Sequence, residues 1–235
     1  MKTGLLPAGA LLAALAFAPL AHAGTFHFQF SGAGVSGSGM LTITPDTNSG
    51  DPSSAFTITS VNGTFSDANI SISNASITGV KALELVSPQR DPPVPASLSL
   101  FPIANNLPMQ DAHTGGLTYD NLFFPDGSPV DCPEYPFAGG FLDVYGVMLT
   151  LDNGDILDFW SDGEGPGMPL TYGVGVIDPS DGGTVLDYQF GGVAATAAVP
   201  EPQYLWLLGA ALLGFFAWRR RSPFRASARS GRGRY

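Results

Sequence analysis

Five acidic side chains crowd one short stretch: Asp152, Asp155, Asp158, Asp162 and Glu164. Carboxylate oxygens at that density are hard ligands, and the ion they would take is Ca²⁺. The spacing is not that of an EF-hand loop, because Asp152-Asn153-Gly154 puts glycine at the third position. Asp152 and Asp155 also flank an Asn-Gly pair, and turns favour Asp in their own right, so solvated turn carboxylates account for the same residues. Other chemistry has less to draw on. After residue 23 the only histidines are His27 and His113. His27 alternates with Phe26, Phe28 and Phe30 and reads as a strand-face residue. A His-rich zinc site is not available, and no G-x-S-x-G nucleophile elbow occurs. The single cysteine, Cys132, excludes an intramolecular disulfide and a cysteine metal cluster; it reads as a small buried residue. Gly32-Ala33-Gly34-Val35-Ser36-Gly37 matches G-x-G-x-x-G, but a dinucleotide site needs a helix next, and Ser38-Gly39 leads into another strand. A glycosidase would need two acids about 5–10 Å apart in a cleft, which sequence leaves open. No catalytic residue is assigned, and calcium is the one cofactor considered.

The elements that must position these residues are strands. Apolar residues alternate with Ser, Thr and Asn, β-branched residues are frequent, and no window keeps a helical period. Expected strands are Thr25–Phe30, Met40–Thr44, Ala55–Val61, Asn69–Ser73, Ile77–Val80, Leu83–Val86, Leu117–Phe124, Phe141–Leu151, Asp155–Trp160, Leu170–Ile177 and Thr184–Phe190. Asn153-Gly154 between two alternating runs predicts a type I′ hairpin. On the strand after it, Leu157 and Phe159 face the core, while Ile156, Asp158 and Trp160 face the other way. Ser87–Pro108 carries six prolines and reads as an extended loop between two sheet regions. Residues 24–190 are thus expected to form one all-β domain, a β-sandwich or jelly-roll-like fold, and Gly191–Ala198 a small-residue linker.

Charge divides the chain sharply. Between Gly24 and Ala198, 19 acids face only two bases, Lys81 and Arg90, a balance of −17. Such a body repels phosphate and has no basic stripe, so nucleic acid is not a partner. Seven of the ten basic residues follow Trp218.

The two ends read as targeting segments. Met1-Lys2, the apolar run Leu5–Ala18 and Ala21-His22-Ala23 make a signal peptide over residues 1–23. Small side chains at Ala21 and Ala23 fit signal peptidase, which would cut after Ala23. Near the other end, Pro200 and Pro202 forbid helix. Residues 203–218 then form an uncharged stretch. From Tyr204 to Trp218 it covers about 22 Å as a helix, against about 30 Å of hydrocarbon. Tyr204, Trp206 and Trp218 suit the two interfaces, and arginines can snorkel. Arg219, Arg220 and Arg221 and the basic tail 222–235 belong in the cytoplasm by the positive-inside rule. The body then lies outside, as the signal peptide also requires.

Val199-Pro200-Glu201-Pro202, the hydrophobic stretch and Arg219-Arg220-Arg221 resemble the PEP-CTERM sorting domain of Gram-negative, exopolysaccharide-producing bacteria, here over residues 199–221. The resemblance implies an exosortase, a membrane-embedded cysteine-protease-like partner, reading Pro200, Glu201 and Pro202 and removing the tail nearby, with Arg219–Arg221 as the stop-transfer cluster. The chain continues 14 residues beyond Arg221, further than such tails usually run. The body is similar to other secreted β-proteins bearing this tail in Phe28–Thr44, Ile58–Gly79 and Tyr119–Trp160, which implies a shared β-fold without catalytic residues. The resulting expectation is an exported, non-enzymatic surface or matrix protein. It is held transiently in the inner membrane, then placed at the cell surface or outside, in association with exopolysaccharide or biofilm. A carbohydrate- or calcium-binding adhesion module and a secreted hydrolase are the alternatives.

Overall fold

The computed structural model describes residues 24–84, 94–104, 116–130, 132 and 135–199. The expected signal peptide, the stretch 200–235 and His113 lie outside them.

Alternation sets the strands. In β1 (Gly24–Gly32), Phe28 and Phe30 are buried while His27, Gln29 and Ser31 are exposed. β2 (Val35–Pro45) answers with Leu41 and Ile43. The β1–β2 turn places Ala33 at φ 51° and Gly34 at φ 86°, so the G-x-G-x-x-G stretch is a hairpin turn. β3 (Phe56–Asp67) and β4 (Ile72–Val80) extend the meander. After an excursion of the chain come β8 (Val147–Leu151), β9 (Ile156–Gly165), β10 (Met168–Asp178) and β11 (Thr184–Ala198), each antiparallel to the one before. β4 pairs with β8, and β11 pairs with β1.

The sheet therefore closes. Eight antiparallel strands run β1-β2-β3-β4-β8-β9-β10-β11 and back to β1, an up-and-down barrel in place of the expected sandwich or jelly roll. Closure leaves no open edge among these strands. Two glycines help the sheet curl: a Cβ on Gly39 would lie 2.1 Å from the Asn62 carbonyl oxygen, and one on Gly63 2.3 Å from that of Ser38. Only bare backbone fits there. The interior is filled by Phe28, Phe30, Phe65, Leu149, Leu157, Phe159, Val174 and Val176 among others. The Phe30 and Phe159 rings meet at 4.6 Å.

Among the described residues, three short strands lie in the excursion between β4 and β8. β5 (Ser99–Pro102) and β6 (Gly116–Tyr119) pair with each other, and β7 (Leu122–Phe123) adds to β3. Phe101, Leu117 and Tyr119 pack on Met148, Ile156 and Ile177. These last three sit on the barrel's outer face, so β9 is buried on both sides from Ile156 to Gly163.

Several expectations are corrected. Asn69–Ser73 is mostly the β3–β4 turn, with Ser71 at φ 62°. Leu83 and Glu84 are not strand, and Val86 lies outside the described residues. Leu117–Phe124 is broken at Asn121, where φ is 58°. Phe141–Leu151 is strand only from Val147. Prolines do not separate two sheet regions, because β4 and β8 pair directly. The β8–β9 hairpin exists, but only Gly154 in its turn has positive φ, at 96°. Asn153 accepts a bond from the Asp155 amide at 3.1 Å, so the turn is not type I′. The expected linker Gly191–Ala198 is the second half of β11, with Val193 fully buried. Its small residues are tolerated because the ladder with β1 holds the strand.

Candidate functional site

The expected sorting residues Pro200, Glu201, Pro202, Arg219, Arg220 and Arg221, and the expected cleavage residues Ala21 and Ala23, lie outside the described residues. The strands that flank them are described. Gly24, the residue after the expected signal-peptidase cut, opens β1 and pairs with Ile43. Ala198 closes β11 and pairs with His27. Only Val199 stands between that strand and Pro200. The barrel thus fills the chain between the expected signal peptide and the sorting motif, with its first and last strands adjacent.

The five acids proposed for calcium do not converge. Asp152 and Asp155 sit at the β8–β9 turn, while Asp158, Asp162 and Glu164 follow along β9. At about 3.3 Å per residue, the strand spreads Asp155 and Glu164 over about 30 Å. Among the described residues no group of three or more His, Cys, Asp or Glu is placed to hold a metal. Nor are these acids all solvated. Asp158 and Asp162 are 3% and 4% exposed. Asp162 accepts the Trp160 indole N–H at 2.9 Å and the Thr171 hydroxyl at 3.4 Å. Burial raises its carboxyl, and those two bonds oppose the shift. Asp158 lies in a row across the outer face with Met148, Gly175 and Tyr188. Burial holds it well above the usual carboxylate range. The indole of Trp160 lies flat over Gly173, stacked 4.8 Å from Tyr188. These groups form a packed outer layer. Sequence could not foresee it, because the covering residues come from distant segments: β5 and β6 pack on Met148, Ile156 and Ile177, and Tyr135 and Ala138 bond the backbone at Asp162 and Glu164.

Among the described residues, the barrel interior is filled by side chains. The void lined by Phe28, Leu41, Ile58, Leu149 and Phe159 holds about 10 Å³, which an eight-stranded barrel filled by its own side chains accounts for. The surface does carry an open depression of about 380 Å³. Its lining includes Gln29, Ser31, Ser36, Ser38, Thr64, Ser66, Asn74 and Thr196, from five adjacent strands or their ends. Every polar group there is a neutral hydroxyl or amide. From Gly24 to Val80 the only charged residues are Asp46, Asp51 and Asp67, and none lines the depression. Single-sequence alternation does mark these residues as outward-facing. It does not show that the strands bring them to one place.

Cys132 is buried beside Leu98, Tyr135 and Tyr145, as expected of a small packing residue. His27 is an exposed strand residue. Among the described residues no helix is long and apolar enough to cross a membrane; the expected span 203–218 falls outside them.

Comparison with protein families matches residues 198–221 to the PEP-CTERM protein-sorting motif. The match begins on the last residue of β11. It marks the chain as an exported protein sorted through the membrane with an exosortase-type processing partner. No curated protein and no solved structure matches the chain, so the resemblance of the body to other secreted β-proteins gains no support there.

Proposed function

We propose that the barrel is the delivered product of this sorting route: a non-enzymatic surface or matrix protein that associates with extracellular polysaccharide. The neutral depression across β1 to β4 and β11 is the observation that carries the reading. Hydroxyl and amide groups exchange hydrogen bonds with sugar hydroxyls without stripping water from a charge. Each such bond adds little, about 0.5–1.5 kcal/mol at most. A repeating polymer multiplies weak contacts through effective concentration, so a shallow polar surface suits a matrix polysaccharide better than a free sugar. In this reading the signal peptide is removed after Ala23. The segment 203–218 holds the chain in the inner membrane with its carboxyl end in the cytoplasm. The exosortase-type protease then reads Pro200, Glu201 and Pro202.

Two measurements test it. Mass spectrometry of the mature protein from cells should find Gly24 at one end and a carboxyl end at or beyond Val199, and Glu201→Ala should accumulate the unprocessed chain. Retention of the purified protein on the producing cells' polysaccharide should fall in the double variant S38E/T64E, which puts two charges into the depression. Equal retention of variant and parent would remove the polysaccharide reading while leaving the sorting route intact. An adhesion module that binds a defined carbohydrate is the second reading, favoured by the same depression. It predicts saturable binding of a short oligosaccharide.

A further inference from the structure

The first and last strands of the barrel open and close at the same mouth. Gly24 pairs with Ile43 and Ala198 with His27. The β9–β10 hairpin turns at this mouth too, because β10 runs antiparallel to β11 from Met168 to Asp178. The tip of that hairpin reads Gly165-Pro166-Gly167-Met168-Pro169-Leu170, six residues without a polar side chain. All but Gly165 are exposed, Met168 by 51% and Leu170 by 37%. Val199, the residue after β11, is 63% exposed. On the neighbouring wall Met40, in one row with His27 and Ala198, is exposed as well.

The hairpin is backed on one side only. A Cβ on Gly165 would lie 2.7 Å from the Phe137 ring, and one on Gly163 2.6 Å from Phe137 Cβ. The ladder to β9 shifts register between Met168 and Thr171, which releases Pro169 and Leu170 from regular pairing. Glu164, exposed at the base of the hairpin, bounds the apolar stretch. Single apolar side chains on a surface are ordinary, but a contiguous apolar tip marks a contact with protein or lipid. Position and charge favour lipid. Residues 200–202 are all that separate Val199 from the uncharged stretch 203–218. The four links from residue 199 to residue 203 reach about 14 Å at most. Charge cannot draw the body to a bilayer, since 19 acids face two bases between Gly24 and Ala198. An apolar foothold is the means left.

We infer that the hairpin tip Gly165–Leu170, flanked by Val199, is a lipid-contact surface that seats this mouth of the barrel on the outer face of the membrane while the sorting segment is attached. The inference rests on the reading that residues 203–218 hold the chain in the inner membrane. So small a foothold works only at the effective concentration that the tether supplies. It keeps the junction after Val199 at the bilayer surface, and the barrel comes away once the tail is cut.

The full chain carrying D152M is placed in phosphatidylcholine vesicles and treated with hydrogen peroxide, and sulfoxide formation at each methionine is followed by peptide mass spectrometry. Asp152 is exposed at the β8–β9 turn, the opposite end of β9 from the tip. Methionine oxidation follows exposure, so free solvent access would oxidise Met168 and the introduced methionine at comparable rates, whereas lipid contact should slow Met168 by about fivefold or more. L170D in the same chain puts a charge where lipid would sit and should bring the two rates together. A slowing that survives L170D would show shading by a nearby bilayer without contact and would overturn the proposal. A slowing that disappears when the chains are diluted to single occupancy of the vesicles would show a second copy on the tip and overturn it equally. Equal rates in a chain that floats with the vesicles would end the lipid contact and leave the membrane span intact. A chain that does not float would end both.

Discussion

His27 and Ala198 face each other where β1 meets β11, so the first and last strands of the barrel are hydrogen-bonded neighbours. Both strands are needed to close the sheet, and each leads directly to a segment expected to be cut away. The expected signal-peptidase cleavage after Ala23 would leave β1 whole. A cut at or beyond Val199 leaves β11 whole. A cut even a few residues earlier would remove ladder partners of Phe28 and Gln29, namely Ala197 and Thr196, and would open the barrel along one seam.

Val193 separates the strand from the linker it resembles. Its side chain is fully buried and its residue pairs with both Tyr172 and Gly32. Val193→Asp should cost about 3 kcal/mol or more, the penalty for burying an unpaired polar group in place of a packed methyl pair. Chemical denaturation checks it. A flexible linker would tolerate the change within about 0.5 kcal/mol.

Gly173 is required by the indole above it. A Cβ there would lie 2.0 Å from Trp160 Cζ2, so Gly173→Ala must push the ring off the sheet and away from Tyr188 and Asp162. The expected loss is about 1–3 kcal/mol, typical of overpacking. It should come with a change in Trp160 fluorescence as the indole leaves its buried setting. A stable variant with the parent's emission would show that Trp160 does not lie there.

Gly154 is required for a different reason. No atom lies within 4 Å of a Cβ placed on it, but its φ is 96°. Gly154→Ala should therefore cost about 1–2 kcal/mol through backbone conformation alone. The hairpin and the Trp160 signal should stay unchanged. Gly154→Asn, better tolerated at positive φ, should recover part of the loss in the same denaturation experiment.

Much of the barrel was legible because its inward residues alternate with neutral polar ones. Leu157 and Phe159 were assigned to the core from alternation alone, and both are there. What escaped was non-local. Closure depends on β11 reaching back to β1, and its Gly- and Ala-rich half carries almost no hydrophobic signal beyond Val193. Asp158 read as a surface acid because its strand alternates correctly. It is buried among Met148, Gly175 and Tyr188 on a face against which β5 and β6 pack at Met148, Ile156 and Ile177, and no local pattern encodes that packing. The sorting motif, in contrast, was legible because its signal is local: prolines, an uncharged stretch and an arginine cluster in fixed order, within the residues 198–221 that the family comparison matches.

Asp158 gives the domain a definite pH response. Its carboxyl is buried and its Oδ1 has no hydrogen-bond partner, so the folded protein favours the protonated form far more than the unfolded chain does. Burial raises the folded pKa well above the ordinary value of 3.8. The folded state therefore holds a proton that the unfolded state has released. Stability must fall as pH rises from about 4 toward the folded pKa, with a slope of up to about 1.4 kcal/mol per pH unit from this one group. Asp67 and Asp162 are raised by burial as well and add to the same trend. Asp158→Asn keeps the shape, removes the ionisation and should flatten the curve between pH 4 and pH 8, leaving the variant more stable than the parent at the upper end. Unfolding free energies measured in urea across that range decide it. Parallel curves for parent and variant would mean that Asp158 is ionised and satisfied in the folded protein, and that its surroundings admit water.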